Sequence, residues 1–509
     1  MSFRIDKKYL ILPASKYAAP KRVLIYEGEQ LIFDFICKID NLTPDFTAYV
    51  DVSLFSGKEV TLKIEPDVPY LPVLSDSKEL GDVYSDPLRP KVHFTVKNGW
   101  TNDPNGLVYH GGVYHMFYQY NPAGAEWANM HWGHATSKDL LHWEEQDIAL
   151  FPDSLGTMFS GSAIIDKNNV SKLGKGAMLL YYTAAGGTSS LSAGKKFTQC
   201  LAYSTDGGKT FKKYAGNPIV EHIEAANRDP KVVYVEELER FVMLLYLQKN
   251  DYAILTSEDL VHFTLLQKIE IQGDAECPDI FYLYCGGVKY WIIMGACDKY
   301  IVGRFEDGRF IAKSETKTLT HLKMSYAAQS FSGIEDGCAV RIAWDIINNP
   351  SDRFTSQMGI PTEMSLQMHN GELHLCCSPI KEIEKLYSSS EEKESLPLAD
   401  DAIFPLGECA ADISLSCTLP PVEKLRMLLF GVEIICDNEK KELRCKNAKM
   451  PLLSEKLELR IIADKSSVEL FSAGGAAFFA VSALADYNLP YFKVFKNERL
   501  LSIASRYTD

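Results

Sequence analysis

One short pattern recurs along the middle of this chain and limits what the chain can fold into. Ser137-Lys138-Asp139-Leu140-Leu141-His142-Trp143, Ser204-Thr205-Asp206-Gly207-Gly208-Lys209-Thr210-Phe211 and Ser257-Glu258-Asp259-Leu260-Val261-His262-Phe263 share one plan. Each sets an Asp two residues after a Ser, and an aromatic four or five residues after the Asp. Asp307-Gly308-Arg309-Phe310 is a shorter version, so that Asp positions 139, 206, 259 and 307 step by 67, 53 and 48. A turn that returns at such intervals, with several short strands between its copies, is the mark of a β-propeller. Coincidental Asp turns would not bring the aromatic with them each time.

That register locates three acids. Asp103 stands 36 residues before Asp139, Asp229 stands 30 before Asp259, and Glu276 stands 31 before Asp307. The first strand of a propeller blade lines the central channel, so these carboxylates are predicted to meet at its mouth. Taken alone, the stretch around Asp103, Trp100-Thr101-Asn102-Asp103-Pro104-Asn105-Gly106, reads as an Asp capping an Asn/Pro/Gly turn. Its recurrence with two other acids turns that reading toward chemistry. The blade carrying Asp206 offers no equally clear acid, and Phe159-Ser160-Gly161 occupies the corresponding place.

At 509 residues the chain is too long for one core. Residues 1–88 read as a small accessory β domain, with strand-like alternation over 23–39, 46–55 and 59–64. The propeller is expected over 89–378, its last blade beginning near Tyr326 and running through Trp344. Residues 379–387 read as a short helix, and the polar run that follows makes 379–401 a helix and linker. Alternation over 412–419, 425–436, 457–462, 467–471, 476–484 and 491–495 points to a β-sandwich across 402–509. The fold class is therefore all-β.

Composition excludes several functions. With 53 Lys and Arg against 67 Asp and Glu, the net charge is −14, which repels phosphate backbones and argues against nucleic acid. No apolar run reaches the length of a membrane span. The start, Met1-Ser2-Phe3-Arg4-Ile5-Asp6, lacks the pattern of a secretory signal, so a cytoplasmic location is expected. The twelve cysteines show no C-x-x-C spacing, and most sit in apolar runs such as those of Cys37, Cys285 and Cys436. They read as buried thiols, neither disulfides nor zinc ligands. His131 and His134, three apart on a strand, face opposite ways and make a poor metal pair. No metal or cofactor is expected, and nothing in the sequence bears on oligomeric state.

Trp100-Thr101-Asn102-Asp103-Pro104-Asn105-Gly106, Phe159-Ser160-Gly161, Arg228-Asp229-Pro230 and Glu276-Cys277-Pro278, in that order and spacing, resemble glycoside hydrolase family 32, the β-fructosidases. The likeness extends to Met130-His131-Trp132-Gly133-His134, Tyr326-Ala327-Ala328-Gln329 and Asp464-Lys465-Ser466-Ser467-Val468-Glu469-Leu470-Phe471. It implies a five-bladed propeller followed by a β-sandwich. It also implies Asp103 as nucleophile, Glu276 as general acid/base and Asp229 as a stabiliser of sugar hydroxyls. Asn102, Gln119, Trp127, Phe159, Ser160, Arg228 and Trp344 match positions that line the fructose pocket in the family. The implied reaction is exo-acting release of fructose from sucrose or fructans through a covalent fructosyl-enzyme, with retention. One carboxylate traps an oxocarbenium-like centre while the other protonates the leaving oxygen. The pair must hold opposite protonation states at one pH, Asp103 ionised and Glu276 carrying the proton.

Arg228 and Asp229 pose a local problem, because strict alternation sends neighbouring side chains to opposite faces. Both reach a ligand only if the strand ends or bends there, which Pro230 allows. Cys277 reads as a small buried thiol beside the acid. Met324-Ser325 and Ile360-Pro361-Thr362-Glu363-Met364 depart from the family pattern on the leaving-group side, and so bear on substrate choice. Other reactions fit the same scaffold: an inverting arabinan or xylan hydrolase, a fructosyltransferase, or cleavage of a difructose anhydride or phosphorylated sugar. A sugar-binding propeller without catalysis is the reading from a different class.

Overall fold

The computed structural model describes the chain except for residues 225–226, 322–323, 336, 348–350, 352, 370, 398–401, 407–409, 419–423, 453–455, 487, 496–499 and 508–509. Five antiparallel sheets follow one another as blades I to V, and each contributes a first strand to a central ring: Gly99–His110, Thr157–Asp166, Arg228–Val235, Asp279–Cys285 and Ser325–Ser330. These inner strands contact one another in that order, and the fifth contacts the first. The ring is closed by backbone pairing: Phe354 and Thr355 run parallel to Gly99 and Trp100, and Val108 bridges Ser332. Blade V ends with the strand Glu372–Pro379.

The recurrent Asp turn is one loop repeated. In blades I, II and III it joins the third strand to the fourth. The Asp139 carboxylate accepts the Leu141 and His142 amides at 3.0 and 2.9 Å, and Asp259 accepts those of Val261 and His262 at 3.0 and 2.8 Å. Asp206 does the same for Lys209 and Thr210. Asp307-Gly308 turns blade IV at the same place, both residues at positive φ. The accompanying aromatic reaches back to the preceding blade: Phe211 packs edge-on to Phe117 and Phe263 to Tyr181. A ring of that size fills the wedge between neighbouring twisted sheets.

Ahead of the propeller, two sheets of four and three strands enclose a core that includes Leu10, Val23, Phe33 and Val50. Behind it, two six-stranded sheets pack around Ile413, Met427, Ile434, Leu470, Phe479 and Phe492. Three expectations need correction. The stretch taken as a linker contains a strand, Ser389–Pro397, on the edge of one sandwich sheet, where it pairs with Leu500–Tyr507. Its polarity is that of an edge strand. The helix before it is a single 3₁₀ segment, Lys381–Leu386. Residues 23–39 and 425–436, which alternate like single strands, are each folded into a hairpin at a left-handed glycine, Gly28 (φ 60°) and Gly431 (φ 78°). Among the described residues no helix is long and apolar enough to cross a membrane.

Candidate active site

Four of the five inner strands are irregular, three of them at the place where a candidate residue sits. Pairing slips between Thr101 and Pro104 in blade I, Phe159 and Gly161 in blade II, Arg228 and Lys231 in blade III, and Tyr326 and Gln329 in blade V. These bulges bracket Asp103, Ser160 and Asp229, and they re-aim side chains that a regular pleat would send elsewhere. In blade IV the strand begins only at Asp279, leaving Glu276 and Cys277 in the approach to it. Asp229 and Glu276 both have left-handed backbones, φ 65° and 60°, a conformation costing about 1–3 kcal/mol for a non-glycine residue. The bulge resolves the Arg228–Asp229 problem: their side chains lie side by side, Nε to Oδ2 at 3.6 Å.

The three acids come together around two groups. Cys277 Sγ donates to Asp103 Oδ2 at 3.4 Å and lies 3.5 Å from Asp229 Oδ2, while the Cys277 amide donates to that same Asp229 oxygen at 3.0 Å. Arg228 Nη2 donates to Glu276 Oε1 at 2.7 Å, and Tyr326 Oη donates to Glu276 Oε2 at 2.9 Å. Asp103 is further held by Ser160 Oγ at 2.6 Å and by Asn102 Nδ2 at 3.2 Å. Asn102 is in turn oriented by the Trp100 indole, 2.9 Å from its Oδ1. Asp229 is 5% exposed and Glu276 37% exposed at the side chain, so Glu276 faces the opening.

Burial is the largest influence on two of the acids and on the thiol between them. It raises the Asp103 carboxyl above its ordinary value, and the donors Ser160, Asn102 and Cys277 pull it back toward ionisation. It lifts Asp229 to about 7, against the pull of Arg228 and the Cys277 amide. The Cys277 thiol is pushed well up by burial and by the surrounding acids, so it stays protonated and acts as a donor.

The remaining candidates form the walls. Trp344 stands edge-on to Trp100 and to Tyr326 at 6.0 and 6.2 Å, and its indole nitrogen is buried without a hydrogen-bond partner. Gln119, whose backbone accepts from Thr101, has an equally unpartnered Nε2. Buried donors left open suit the hydroxyls of a ligand. Phe159 stacks edge-on between Trp127 and Phe197 at 6.1 and 5.5 Å, and Trp127 is 55% exposed at the rim. Tyr326 was absent from the candidates although its segment had been recognised, because only the fold carries its hydroxyl to Glu276.

His131 and His134 lie elsewhere. Both are buried, and burial lowers them to about 4 and about 3, so they are neutral packing residues. Among the described residues one group has the spacing to hold an ion: His93, Asp345 and Glu469, with ligand atoms within 4.8 Å of one another. It sits between propeller and sandwich, apart from the three acids, and both its imidazole nitrogens face carboxylates, Asp464 at 2.8 Å and Glu469 at 3.2 Å. A cavity of about 650 Å³ opens at the far ends of the inner strands. It contains none of the acids, and Lys231 within it is paired to Asp279 at 2.8 Å.

Residues 93–379 match the family model described as the glycosyl hydrolases family 32 N-terminal domain. The chain is 35% identical over 348 residues to a levanase of Bacillus subtilis, covering 62% of this chain and 50% of that protein. It is 36% identical over 314 residues to an invertase of Schizosaccharomyces pombe, covering 55% and 53% respectively. The matches thus span about half the length of these relatives. Among solved structures, an exo-inulinase of Aspergillus awamori superposes with a TM-score of 0.74 over 84% of this chain and 99% of that one, at 24% identity. At that identity the likeness speaks for the fold.

Proposed function

Since the chain belongs to glycosyl hydrolase family 32, we propose that it is a retaining, exo-acting β-fructofuranosidase that frees fructose from sucrose or fructo-oligosaccharides. The observation that carries this reading is the meeting of Asp103, Asp229 and Glu276 around Cys277 and Arg228. Asp103, pinned by Ser160 and Asn102, is the fixed carboxylate that attacks the anomeric carbon. Glu276, at the opening and bonded to Tyr326 and Arg228, delivers its proton to the leaving oxygen and then takes one from water. Asp229, deep in the site, accepts from sugar hydroxyls. Trp344 and Gln119 supply the unpartnered donors, and Trp127 and Phe159 the apolar faces.

The names of the relatives, levanase, invertase and exo-inulinase, support a fructoside as substrate. Cys37, Cys200, Cys277, Cys285, Cys376, Cys377, Cys436 and Cys445 are free thiols, which fits a reducing cytoplasm. Incubation with sucrose, kestose, inulin and levan tests the proposal, with NMR of the first sugar released. Free fructose appearing with retained configuration is expected. Wild type releasing fructose no faster than Asp103→Asn or Glu276→Gln would leave a binding protein as the better account.

A further inference from the structure

Residues 1–88 precede the segment that matches the family, yet they are built into the rim of the site. The loop from Asn121 to Asn129 carries Trp127, and it is fastened to the N-terminal domain at several points. Asn129 exchanges two hydrogen bonds with the backbone of Ile36, each 2.7 Å, imitating a strand neighbour on that sheet edge. Lys38 pairs with Glu126 at 2.7 Å, and Ala123 is buried within the N-terminal core itself. A second rim loop, from Gly186 to Phe197, is held by Asp34, whose carboxylate accepts the Ser190 and Leu191 amides at 2.7 and 3.1 Å. Phe197 of that loop packs on Phe159, and Phe159 on Trp127. One accessory domain therefore grips both loops that carry the aromatic rim.

Between the domain and the first of these loops lies a cleft of about 430 Å³, lined by Lys16, Ile36, Lys38, Phe46, Asn121 and Trp127 among others. That size falls within the range of small-molecule sites. The exposed Trp127 indole at its edge offers a flat apolar surface of the kind sugar rings stack on. Lys38, within the cleft, is paired with Glu126, and the indole and the lining amide of Asn121 suit a polyol.

We propose that this cleft is a subsite, made by the N-terminal domain, for the sugar units that lie beyond the scissile bond of a fructo-oligosaccharide. The proposal rests on the fructosidase reading and adds chain-length preference to it. The terminal fructose enters among the acids, the leaving sugar passes Trp127, and the next units lie between the 121–129 loop and the N-terminal sheet.

The test is calorimetric titration of full-length Glu276→Gln with sucrose, 1-kestose and nystose. Nystose is expected to bind about tenfold more tightly than sucrose, about 1.4 kcal/mol. Ala125→Trp in the same background, which fills the cleft, is expected to bring nystose down to the affinity of sucrose while leaving sucrose unchanged. Equal affinity for the three sugars in Glu276→Gln overturns the subsite whether or not the second variant folds. So does a nystose affinity indifferent to Ala125→Trp in a folded variant. Fructose release from sucrose by wild type, measured alongside, separates the two failures: release with no chain-length preference sinks only the subsite, and no release or binding of any sugar sinks the fructosidase reading with it.

Discussion

Two clusters of carboxylates lie at two edges of the propeller. At the channel mouth, Arg228 pairs with Asp229 and Glu276, the protonated Cys277 thiol lies against Asp103 and Asp229, and Glu276 faces solvent. At the seam with the sandwich, Asp464 and Glu469 flank His93, with Asp345 beside them, and every one of these side chains is sealed. His93 is raised to about 10 by its two acidic partners despite burial, so the imidazolium matches them. Asp345 is pushed well up by burial and by Glu469. Both clusters gather acids from remote parts of the chain. Of the two, the first combines a partly exposed acid with left-handed backbones at Asp229 and Glu276, features that mark a candidate reaction site off from an ionic seam.

The sharpest way to break this comparison is to neutralise one charged group in each cluster. Asp103→Asn should lower fructose release by about 10⁴-fold or more while leaving the melting temperature near that of wild type. His93→Gln should do the reverse. It strands two buried carboxylates, and breaking a buried pair costs about 3–5 kcal/mol, read as a lower melting temperature with kcat per folded molecule preserved. A seam variant that folds normally but is inactive would erase the distinction.

The seam also makes a pH statement. His93 has a folded pKa raised above its unfolded value of 6.5, so its stabilisation is complete below about 6.5 and is lost as pH rises toward about 10. Wild-type melting temperature should fall across that window, and the fall should be shallower in His93→Gln. Smaller effects belong to the mouth. Ser160→Ala removes the 2.6 Å bond to Asp103, and a bond to a charged group is worth about 1.5–3 kcal/mol, so a drop in kcat/KM of about tenfold to a hundredfold is expected. Tyr326→Phe removes one of two donors to Glu276 and should cost less, about tenfold or under. A loss in KM alone would place Tyr326 in binding and not in positioning the acid.

Much of this is legible in the sequence alone. The Asp turns were readable because each is a local motif, closed within a few residues by its own amides. The acids followed from counting back along that register. The linker was misread because polarity marks edge strands as well as loops, and Ser389–Pro397 becomes a strand only by pairing with Leu500–Tyr507, more than a hundred residues away. The part the N-terminal domain plays is hidden for a similar reason: nothing about Asp34 or Ile36 in sequence shows that they hold propeller loops.

Turn chemistry, strand alternation and the order of the acids belong to the sequence, since they depend on neighbours a few residues apart. The bulge that sets the Arg228 and Asp229 side chains together, the Tyr326 hydroxyl on Glu276, the thiol shared by two acids and the sealed imidazolium of His93 belong to the tertiary structure. Each depends on segments from about a dozen to hundreds of residues apart being brought together, and on the burial that follows, which no local pattern encodes.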